Sequence, residues 1–339
     1  MGVLLTPIIE KRVVGLDAFR GRTIAIDGNL ELYQFLSVIR LRDGTPLKDA
    51  QGRVTSHLNG LMFRTTRLMA DYDIRPIFVF DGVPPLLKAR EIEKRKAARE
   101  KAAKEYELAL QGGDYGTAWS KAVMMSRLTR EMVAEAKTLL GYLGIPHVQA
   151  PSEGEAQAAS LAKEGVAWAA GSKDYDSLLF GAPRLVRFLT ISGTEWLPRQ
   201  GRARRLQPEV IELEPWLKRL GLSRDQLIDA AILVGTDFND GVKGIGPKTA
   251  VKLLRENVRL ENLPGDVRDQ LPQNLDEIRA FFRDPPVDSQ PRVDAGSLEP
   301  DSVTRFLVDE RGFSPERVRV ALQRLRERPP PTTTLDQFS

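Results

Sequence analysis

The sequence predicts an α/β fold built around parallel strands, and two observations lead to this expectation. Short apolar runs of strand length alternate with longer stretches in which apolar residues recur at helical spacing. The first two runs, TIAI and RPIFVF, each deliver an acidic residue directly after the last apolar residue, at Asp27 and Asp81. Continuous apolar runs are typical of strands buried on both faces, so we expect both to lie inside one sheet.

Two later runs repeat this pattern. GIPHV leads into Glu153 and Glu155, and VAWAA leads into Asp174 and Asp176. Four successive strands would therefore place acids at one edge of the sheet, and in open α/β sheets ligands bind at the carboxyl edge. A further acid, Asp237, follows DAAILVG, which has the pattern of the end of an apolar helix or strand.

Carboxylates gathered at one edge would repel each other and raise each other's pKa unless divalent cations neutralised them. Oxygen-only ligands favour magnesium or manganese over zinc. The chain has no cysteine and only the histidines His57 and His147, which argues against a zinc site and a histidine-based catalytic triad. The acidic pairs also have structural interpretations: Ser152 and Glu155 fit a capping box, and GSKDYDSLLFG fits a polar turn.

A helix is expected directly after the first strand. The segment NLELYQFLSVIR places Leu32, Phe35, Leu36 and Ile39 on one helical face. Tyr33 lies beside that face, either as part of the core or as a platform for a nucleobase.

A basic helix without a core-facing stripe is expected over KAREIEKRKAAREKAAK, from Lys88 to Lys104. One interpretation is a solvated helix with pairs such as Glu91 and Arg95. However, Lys88 and Arg95 are two turns apart on one face, so both could point back at the acidic edge. Cations beside a metal site indicate a substrate that carries phosphates. We expect residues 84–128 to form a helical insertion above that edge.

A glycine turn, GVKGIGPKTAVKLL, follows Asp237. It is not a nucleotide-binding phosphate loop, because Pro247 separates Gly246 from Lys248 and no strand precedes it. It resembles a helix-hairpin-helix turn, whose amides and lysines grip a duplex backbone; a plain interhelical turn is the alternative. Residues 283–301 have the composition of a surface linker, and a last helix is expected around Ser314 to Arg326.

The composition describes an ordinary globular chain. It has 339 residues, 42% hydrophobic and 28% charged, with a net charge of +4, and no apolar run approaches the length of a membrane span. We expect a monomeric cytoplasmic protein without a membrane partner, and we treat the match of MGVLLT to a myristoylation pattern as a coincidence.

Six blocks of the sequence together carry a resemblance to a known family: IDGNLELYQFL, VTSHLNGLMFRT, FVFDGVPPLLK, APSEGEAQAA, SKDYDSLLFG and GTDFNDGVKGIGPK. In this order and spacing the chain resembles the archaeal flap endonucleases of the structure-specific 5′ nuclease family, from MGV to about residue 325. The resemblance implies a central mixed, mainly parallel sheet flanked by helices, which is the PIN-like 5′ nuclease fold. It also implies a helical arch that single-stranded 5′ flaps pass through.

The resemblance further implies roles for individual residues. Asp81, Glu153 and Glu155 would bind one Mg²⁺ and Asp174, Asp176 and Asp237 a second, with Asp27 in support and Mn²⁺ as a substitute ion. Lys88 and Arg95 would contact the scissile phosphate. A possible K⁺ ion would belong to the hairpin turn. The residues that would contact DNA are Gly2, which would lie near the active site after methionine removal, Tyr33, which would stack on a base, and Arg40, Lys243, Gly244, Gly246 and Lys248.

The implied domain plan is a nuclease core over 1–282. It comprises an N-terminal nuclease region 1–105, an arch 84–128 and an internal region 124–265 with the hairpin turn 241–250. Residues 283–328 would form a linker and C-terminal helical region, and 329–339 a flexible tail. In that tail, Leu335 and Phe338 have the spacing of a peptide that binds the sliding clamp (PCNA).

The implied activity is two-metal hydrolysis at 5′ flaps, with 5′–3′ exonuclease activity, in Okazaki-fragment maturation and DNA repair. The products would carry a 5′-phosphate and a 3′-hydroxyl. Alternatives are another 5′ nuclease of the superfamily, such as an exonuclease or junction resolvase, and a catalytically silent DNA-binding scaffold. Cleavage of a double-flap DNA with and without magnesium distinguishes these functions.

Overall fold

The computed structural model describes residues 2–41, 44–191, 193–197 and 202–327. Two sheets are formed by nine strands within this part of the chain: β1 Arg12–Val13, β2 Thr23–Asp27, β3 Arg75–Phe80, β4 His147–Gln149, β5 Ala169–Gly171, β6 Arg184–Arg187, β7 Gly193–Leu197, β8 Arg202–Leu206 and β9 Glu209–Glu212. The main sheet has the order β1-β9-β6-β5-β2-β3-β4, and β7 pairs with β8 in a separate antiparallel hairpin.

The predicted sheet is confirmed as mixed and mainly parallel. Five neighbouring strands are parallel to one another: β4, β3, β2, β5 and β6. The strand β9 is antiparallel to both β6 and β1. Side chains alternate between the two faces: Ile77 and Val79 belong to one core, Phe78 and Phe80 to the other. Burial on both faces explains why the strands have continuous apolar runs.

Helices cover both faces of the sheet. Their bounds are α1 Gly28–Val38, α2 Ser56–Gly60, α3 Thr66–Tyr72, α4 Ala89–Gln111, α5 Tyr115–Met124, α6 Arg130–Tyr142, α7 Gly154–Lys163, α8 Asp176–Leu179, α9 Leu213–Leu220, α10 Arg224–Val234, α11 Pro247–Asn257, α12 Gly265–Arg268, α13 Leu275–Arg283, α14 Pro300–Thr304 and α15 Pro315–Arg326. Single π-helical turns, Leu61–Thr65 and Arg305–Asp309, follow α2 and α14. None of the described helices is long and apolar enough to cross a membrane.

The two cores are built by different helices. One face packs against α7 to α11 and α13, and the other against α1 to α3, α6, α14 and α15. The expected last helix is present as α15, with Ser314 as its N-cap. The helix before Asp237 is α10, which settles the choice between helix and strand left open by the sequence.

The insertion above the sheet is a pair of helices, α4 and α5, that pack on each other. As expected for a helix without a core-facing stripe, α4 buries only Ala102 and Ala109 among its described residues. The second helix, α5, and Ser126 after it rest on the loop that follows α1. Gly44 of that loop lies against Trp119 of α5, and Arg40 donates hydrogen bonds to the Gly44 carbonyl and to Ser126. The C-terminal part of the insertion is therefore anchored to the loop after α1.

Two irregular segments are fixed to the body. In the N-terminal segment before β1, Val3 and Leu5 are buried in the core, and Trp216 of α9 donates a hydrogen bond to the Ile8 carbonyl. Between α13 and α14, the expected linker is held to α7 because the Gln157 amide exchanges two hydrogen bonds with the Asp288 backbone, 2.7 and 2.9 Å long.

Candidate active site at the carboxyl edge of the sheet

The first two acids are fixed by backbone N–H groups at the carboxyl ends of β2 and β3. Asp27 caps α1, accepting a hydrogen bond from the Leu30 amide at 3.0 Å. The Asp81 carboxylate accepts a hydrogen bond from the Gly154 amide at 2.7 Å. Each acid thus lies at the end of a strand and accepts a hydrogen bond from the first turn of a helix, which fixes the direction of its side chain.

The chain crosses itself beside Asp81. Gly82 donates a hydrogen bond to the Ser152 carbonyl at 2.6 Å, and Val83 donates one to the Pro151 carbonyl. A side chain at Gly82 would place its Cβ 2.1 Å from the Ala150 carbonyl oxygen, so only glycine permits the crossing. This contact brings the end of β3 next to Glu153.

The capping box considered for Ser152 and Glu155 does not form. Glu153, not Ser152, precedes the first residue of α7, and no side chain caps that helix. The Glu155 carboxylate instead accepts hydrogen bonds from Ser172 at 2.7 Å and Ser177 at 3.2 Å. The Glu155 carboxylate therefore connects the two ends of the loop that carries the next two acids.

That loop, residues 172–176, follows β5 and carries Asp174 and Asp176. The Gly2 amide nitrogen donates to Asp174 at 3.1 Å, and the Val3 amide donates to Asp176 at 2.9 Å. A methyl group on Gly2 would lie 2.8 Å from the Asp174 Cβ, so the close approach requires glycine. Gly2 thus lies at the acidic edge.

The arch is the pair of helices α4 and α5, and two cations at its base, Lys88 and Arg95, contact the same edge. The Lys88 ammonium is 2.5 Å from Glu153 and 3.3 Å from Asp237. Arg95 donates to Asp237 at 2.7 Å and also to Glu91 at 2.8 Å. Because Asp237 follows α10, these contacts connect three separate parts of the chain: the arch, α7 and the end of α10.

The pKa values follow from burial and from this charge pattern. Burial, followed by the charge of neighbouring carboxylates, raises the pKa of Asp27 and Glu155 well above their ordinary values. Burial and the charge of Asp237 raise the pKa of Asp176 to about 7. Burial also acts on Asp237, but opposing positive charges, of which Lys88 is the largest and Arg95 a further one, outweigh it and lower its pKa. The pKa of Glu153 stays raised although Glu153 contacts Lys88, because burial and the charge of Asp81 oppose that contact.

The donor set fits a hard divalent cation. It consists of carboxylate oxygens, the ligands that magnesium prefers, and the pKa values raised by burial at Asp27, Glu155 and Asp176 indicate that positive charge would stabilise their ionised forms. In the part of the chain that the structure describes, no three acidic or histidine side chains are arranged to hold a metal ion. Two of these carboxylates, Glu153 and Asp237, are paired with Lys88 and Arg95.

The other predicted DNA-contacting residues lie on α1, on the loop after it and in the turn between α10 and α11. Tyr33 is half-buried on α1, and Arg40 lies where the loop after α1 meets the end of the arch. Lys243 and Lys248 are exposed on both sides of the turn between α10 and α11. In that turn Gly244 adopts a φ of +82°, a value that suits glycine, and Gly246 precedes the first residue of α11. Leu335 and Phe338 lie outside the described residues.

Sequence reasoning did not single out the residues behind the acidic loop. Tyr175 lies between the two aspartates of that loop, and Arg187 and Glu209 are buried behind it. The only signal was a charged residue at the end of each short apolar run, RLVR and EVIE. Their pairing depends on β6 and β9 being neighbours, and the sequence pattern does not contain that information.

Comparison with known proteins gives consistent matches over nearly the whole chain. The model of the XPG N-terminal domain matches residues 1–102, and the model of the XPG I-region matches residues 144–237. The chain is 50% identical to flap endonuclease 1 of Caldivirga maquilingensis, over 98% of this chain and 97% of the relative. It is 48% identical to that of Staphylothermus marinus, over 96% and 94%.

Solved structures give the same match. Flap endonuclease-1 from Methanococcus jannaschii superposes with a TM-score of 0.75 at 41% identity, covering 96% of this chain and 98% of that one. The catalytic core of Rad2 in complex with a DNA substrate superposes with a TM-score of 0.69 at 25% identity, covering 95% and 97%.

Proposed function

The chain belongs to the flap endonuclease 1 family, and from this membership we propose that it cuts DNA at 5′ flaps with two magnesium ions held at its acidic edge. As a member of the family it is a structure-specific nuclease that hydrolyses phosphodiester bonds, and the family acts in DNA replication and repair. The observation that carries the proposal is the contact of Lys88 and Arg95 with carboxylates at the end of the sheet.

We assign the metal ligands to two groups at that edge. Asp81, Glu153 and Glu155 would hold the first magnesium ion. Asp174, Asp176 and Asp237 would hold the second, and Asp27 would support the site from the N-terminus of α1. Manganese, which also prefers oxygen ligands, would substitute for magnesium.

The chain's own residues would act on the phosphate as follows. When bound, the two metal ions would supply Lewis-acid stabilisation and an activated water for in-line displacement, which leaves a 5′-phosphate and a 3′-hydroxyl. Lys88 and Arg95 would exchange their carboxylate partners for the scissile phosphate and stabilise the charge that develops on it. The carboxylates they release would then be free to accept the metal ions.

Binding and positioning of DNA would involve the surroundings of this edge. Lys243 and Lys248 with the turn Gly244–Gly246, and with K⁺ if an ion binds there, would hold the duplex backbone without reading bases. Gly2, Tyr33 and Arg40 would contact DNA near the cleaved bond, and Tyr33 would stack on a base. Single-stranded 5′ ends would pass under the arch, which also provides for 5′–3′ exonuclease activity.

The test is cleavage of a double-flap DNA with and without magnesium, by the wild-type protein and by the variants Asp81→Ala and Asp176→Ala. Both variants should lose cleavage and keep flap-DNA binding within several-fold, because each removes a proposed metal ligand and leaves the phosphate contacts intact. Asp17→Ala is the matched control, since Asp17 is an exposed acid that precedes β2. Full activity in either ligand variant, or cleavage without a divalent cation, contradicts the proposal.

A further inference from the structure

The loop that carries Asp174 and Asp176 is held from behind by a closed ring of contacts, whose inner members Tyr175, Arg187 and Glu209 are buried and whose outer members Thr6 and Lys11 are exposed. We call this ring the Tyr175 clamp and define it as Thr6, Lys11, Tyr175, Arg187 and Glu209. Tyr175, the residue between the two aspartates, is only 4% exposed. Because both aspartates are its direct neighbours in the chain, movement of Tyr175 would displace both of them.

Arg187 is the centre of the clamp. It ends β6, directly beside the loop, and its guanidinium stacks over the Tyr175 ring at 4.2 Å. It donates to the Tyr175 hydroxyl at 2.7 Å and to the Lys173 carbonyl at 2.8 Å. One side chain therefore holds both the backbone and the side chain of the loop, in a geometry that the planar guanidinium permits.

Glu209 and the N-terminal segment close the ring. Glu209 lies opposite Arg187 in the pairing of β6 with β9 and accepts a hydrogen bond from it at 2.8 Å. Lys11 donates to the other oxygen of Glu209 at 2.5 Å. Five residues before Lys11, the Thr6 hydroxyl is 3.1 Å from the Tyr175 hydroxyl. The segment that contacts the aspartates through its first amides is thus fixed by the same ring.

We propose that Tyr175, Arg187 and Glu209 are positioning residues that set the spacing of Asp174 and Asp176 for the divalent cation. This inference rests on the proposed function, in which those two aspartates are metal ligands. The exposed fractions of Arg187 and Glu209 are both 8%, and both lie behind the loop. Their proposed role is therefore to hold the loop rather than to bind the ion themselves.

The experiment measures Mn²⁺ binding by calorimetry on the full chain without DNA, together with the Mg²⁺ concentration at which the single-turnover rate is half-maximal. The variants are Tyr175→Phe, Glu209→Gln and Arg187→Lys. Tyr72→Phe is the matched control, because Tyr72 also accepts a hydrogen bond from an arginine that lies over its ring, Arg67, but in an exposed hydrogen bond on α3.

Tyr175→Phe and Glu209→Gln should each weaken Mn²⁺ binding about three- to tenfold and raise the half-maximal Mg²⁺ concentration by a similar factor, since each removes or weakens a charge-assisted hydrogen bond. Arg187→Lys should have the larger effect, because lysine cannot reproduce the fork of contacts. Flap-DNA affinity measured in Ca²⁺ should stay within twofold for all variants, and Tyr72→Phe should match the wild type throughout.

Unchanged Mn²⁺ affinity in folded Tyr175→Phe and Glu209→Gln overturns the inference, even if thermal stability falls. Asp176→Ala separates this failure from failure of the proposed function. If Asp176→Ala weakens Mn²⁺ binding while the clamp variants do not, the metal assignment stands and the clamp is only structural. If Asp176→Ala also binds Mn²⁺ like the wild type, the metal assignment itself is wrong, and the inference is overturned with it.

Discussion

Glu31 is a buried acid on α1 that makes no contact with the arch cations in the structure. Its carboxyl accepts hydrogen bonds from Thr190 and, at 3.3 Å, from Gln34. Burial, only partly offset by the Thr190 hydrogen bond, raises its pKa from 4.5 to about 7. The folded protein therefore holds this proton more tightly than the unfolded chain does.

The pH dependence of stability follows from that difference. Below pH 4.5 the carboxyl is protonated in both states and has no effect. As the pH rises from 4.5 to 7 the unfolded chain ionises first, so the free energy of unfolding should fall by up to about 3 kcal/mol, at about 1.4 kcal/mol per pKa unit. Glu31→Gln should remove this loss and be more stable than the parent above pH 7, with little difference near pH 4.

Urea unfolding of the parent and the variant between pH 4 and 8 measures the effect. Glu107→Gln, an exposed acid on α4, is the control and should show no such difference. A difference between Glu31→Gln and the parent that does not change with pH would contradict the assignment of the proton to Glu31.

Lys88 and Arg95 should affect the reaction more than binding. Each alanine variant should lower the single-turnover rate about 100-fold or more while weakening flap-DNA binding only a few-fold, because the contact with the phosphate strengthens as charge develops. Lys101→Ala, on the same helix with its side chain 79% exposed, is the matched control. Equal losses of rate and affinity would mean that the helix only attracts DNA.

At the scale of elements, α13 is attached to α10 by a buried ion pair. The Arg279 guanidinium donates two hydrogen bonds to the Asp229 carboxylate, at 2.7 and 3.0 Å. Arg279→Ala should lower the free energy of unfolding by about 3 to 5 kcal/mol, because it leaves a buried charge without its partner. Arg283→Ala, which breaks a half-exposed pair with Asp225 on the same two helices, should lower it by less than about 1 kcal/mol. Thermal unfolding of both variants tests the contrast.

The turn between α10 and α11 makes a different prediction. Replacing Lys243 and Lys248 with alanine should reduce the slope of log affinity against log salt for duplex DNA by about 2, since two phosphate contacts would be lost. The cleavage position should not change. An unchanged slope would return this segment to a plain interhelical turn.

The elements that could be predicted are those with a strong local pattern. TIAI and RPIFVF predicted β2 and β3 because a strand buried on both faces needs a continuous apolar run. The acids after these runs lie at the carboxyl edge because parallel strands end at the same edge of a sheet. By contrast, β1 has only two residues, the polar Arg12 and the apolar Val13, and its pairing with β9 joins segments that are distant in the sequence. No local pattern encodes such a pairing.

The site shows the same division between local and distant information. Asp174 and Asp176 were evident from the sequence, because acids follow an apolar run. The capping box at Ser152 was plausible locally, but α7 begins one residue later than the box requires, and the Glu155 carboxylate accepts its hydrogen bonds from Ser172 and Ser177. The contacts of Gly2 and Arg187 with the acidic loop could not be derived from periodicity, since their partners depend on which strands become neighbours.

For the whole molecule, the prediction concerns partners rather than chemistry. Deleting residues 329–339 should leave cleavage of naked flap DNA unchanged and remove stimulation by the sliding clamp of the same organism. Phe338→Ala should reproduce most of that loss, because an aromatic anchor in a hydrophobic pocket supplies much of the affinity of such a peptide. Clamp stimulation that persists in the deletion would show that the tail is not the docking segment.

The long-range attachment of the N-terminal segment has a consequence for synthesis of the protein. Gly2 and Val3 contact residues 174 and 176, Lys11 contacts Glu209, and the Ile8 carbonyl contacts Trp216. At about 5 to 20 residues per second, the ribosome releases this segment roughly 10 to 40 seconds before its last partners. Over that interval the segment acquires its partners one after another, first at residues 174 and 176 and last at Trp216. A nascent chain should therefore be unable to cut DNA until translation has passed Asp237, the last of the proposed metal ligands.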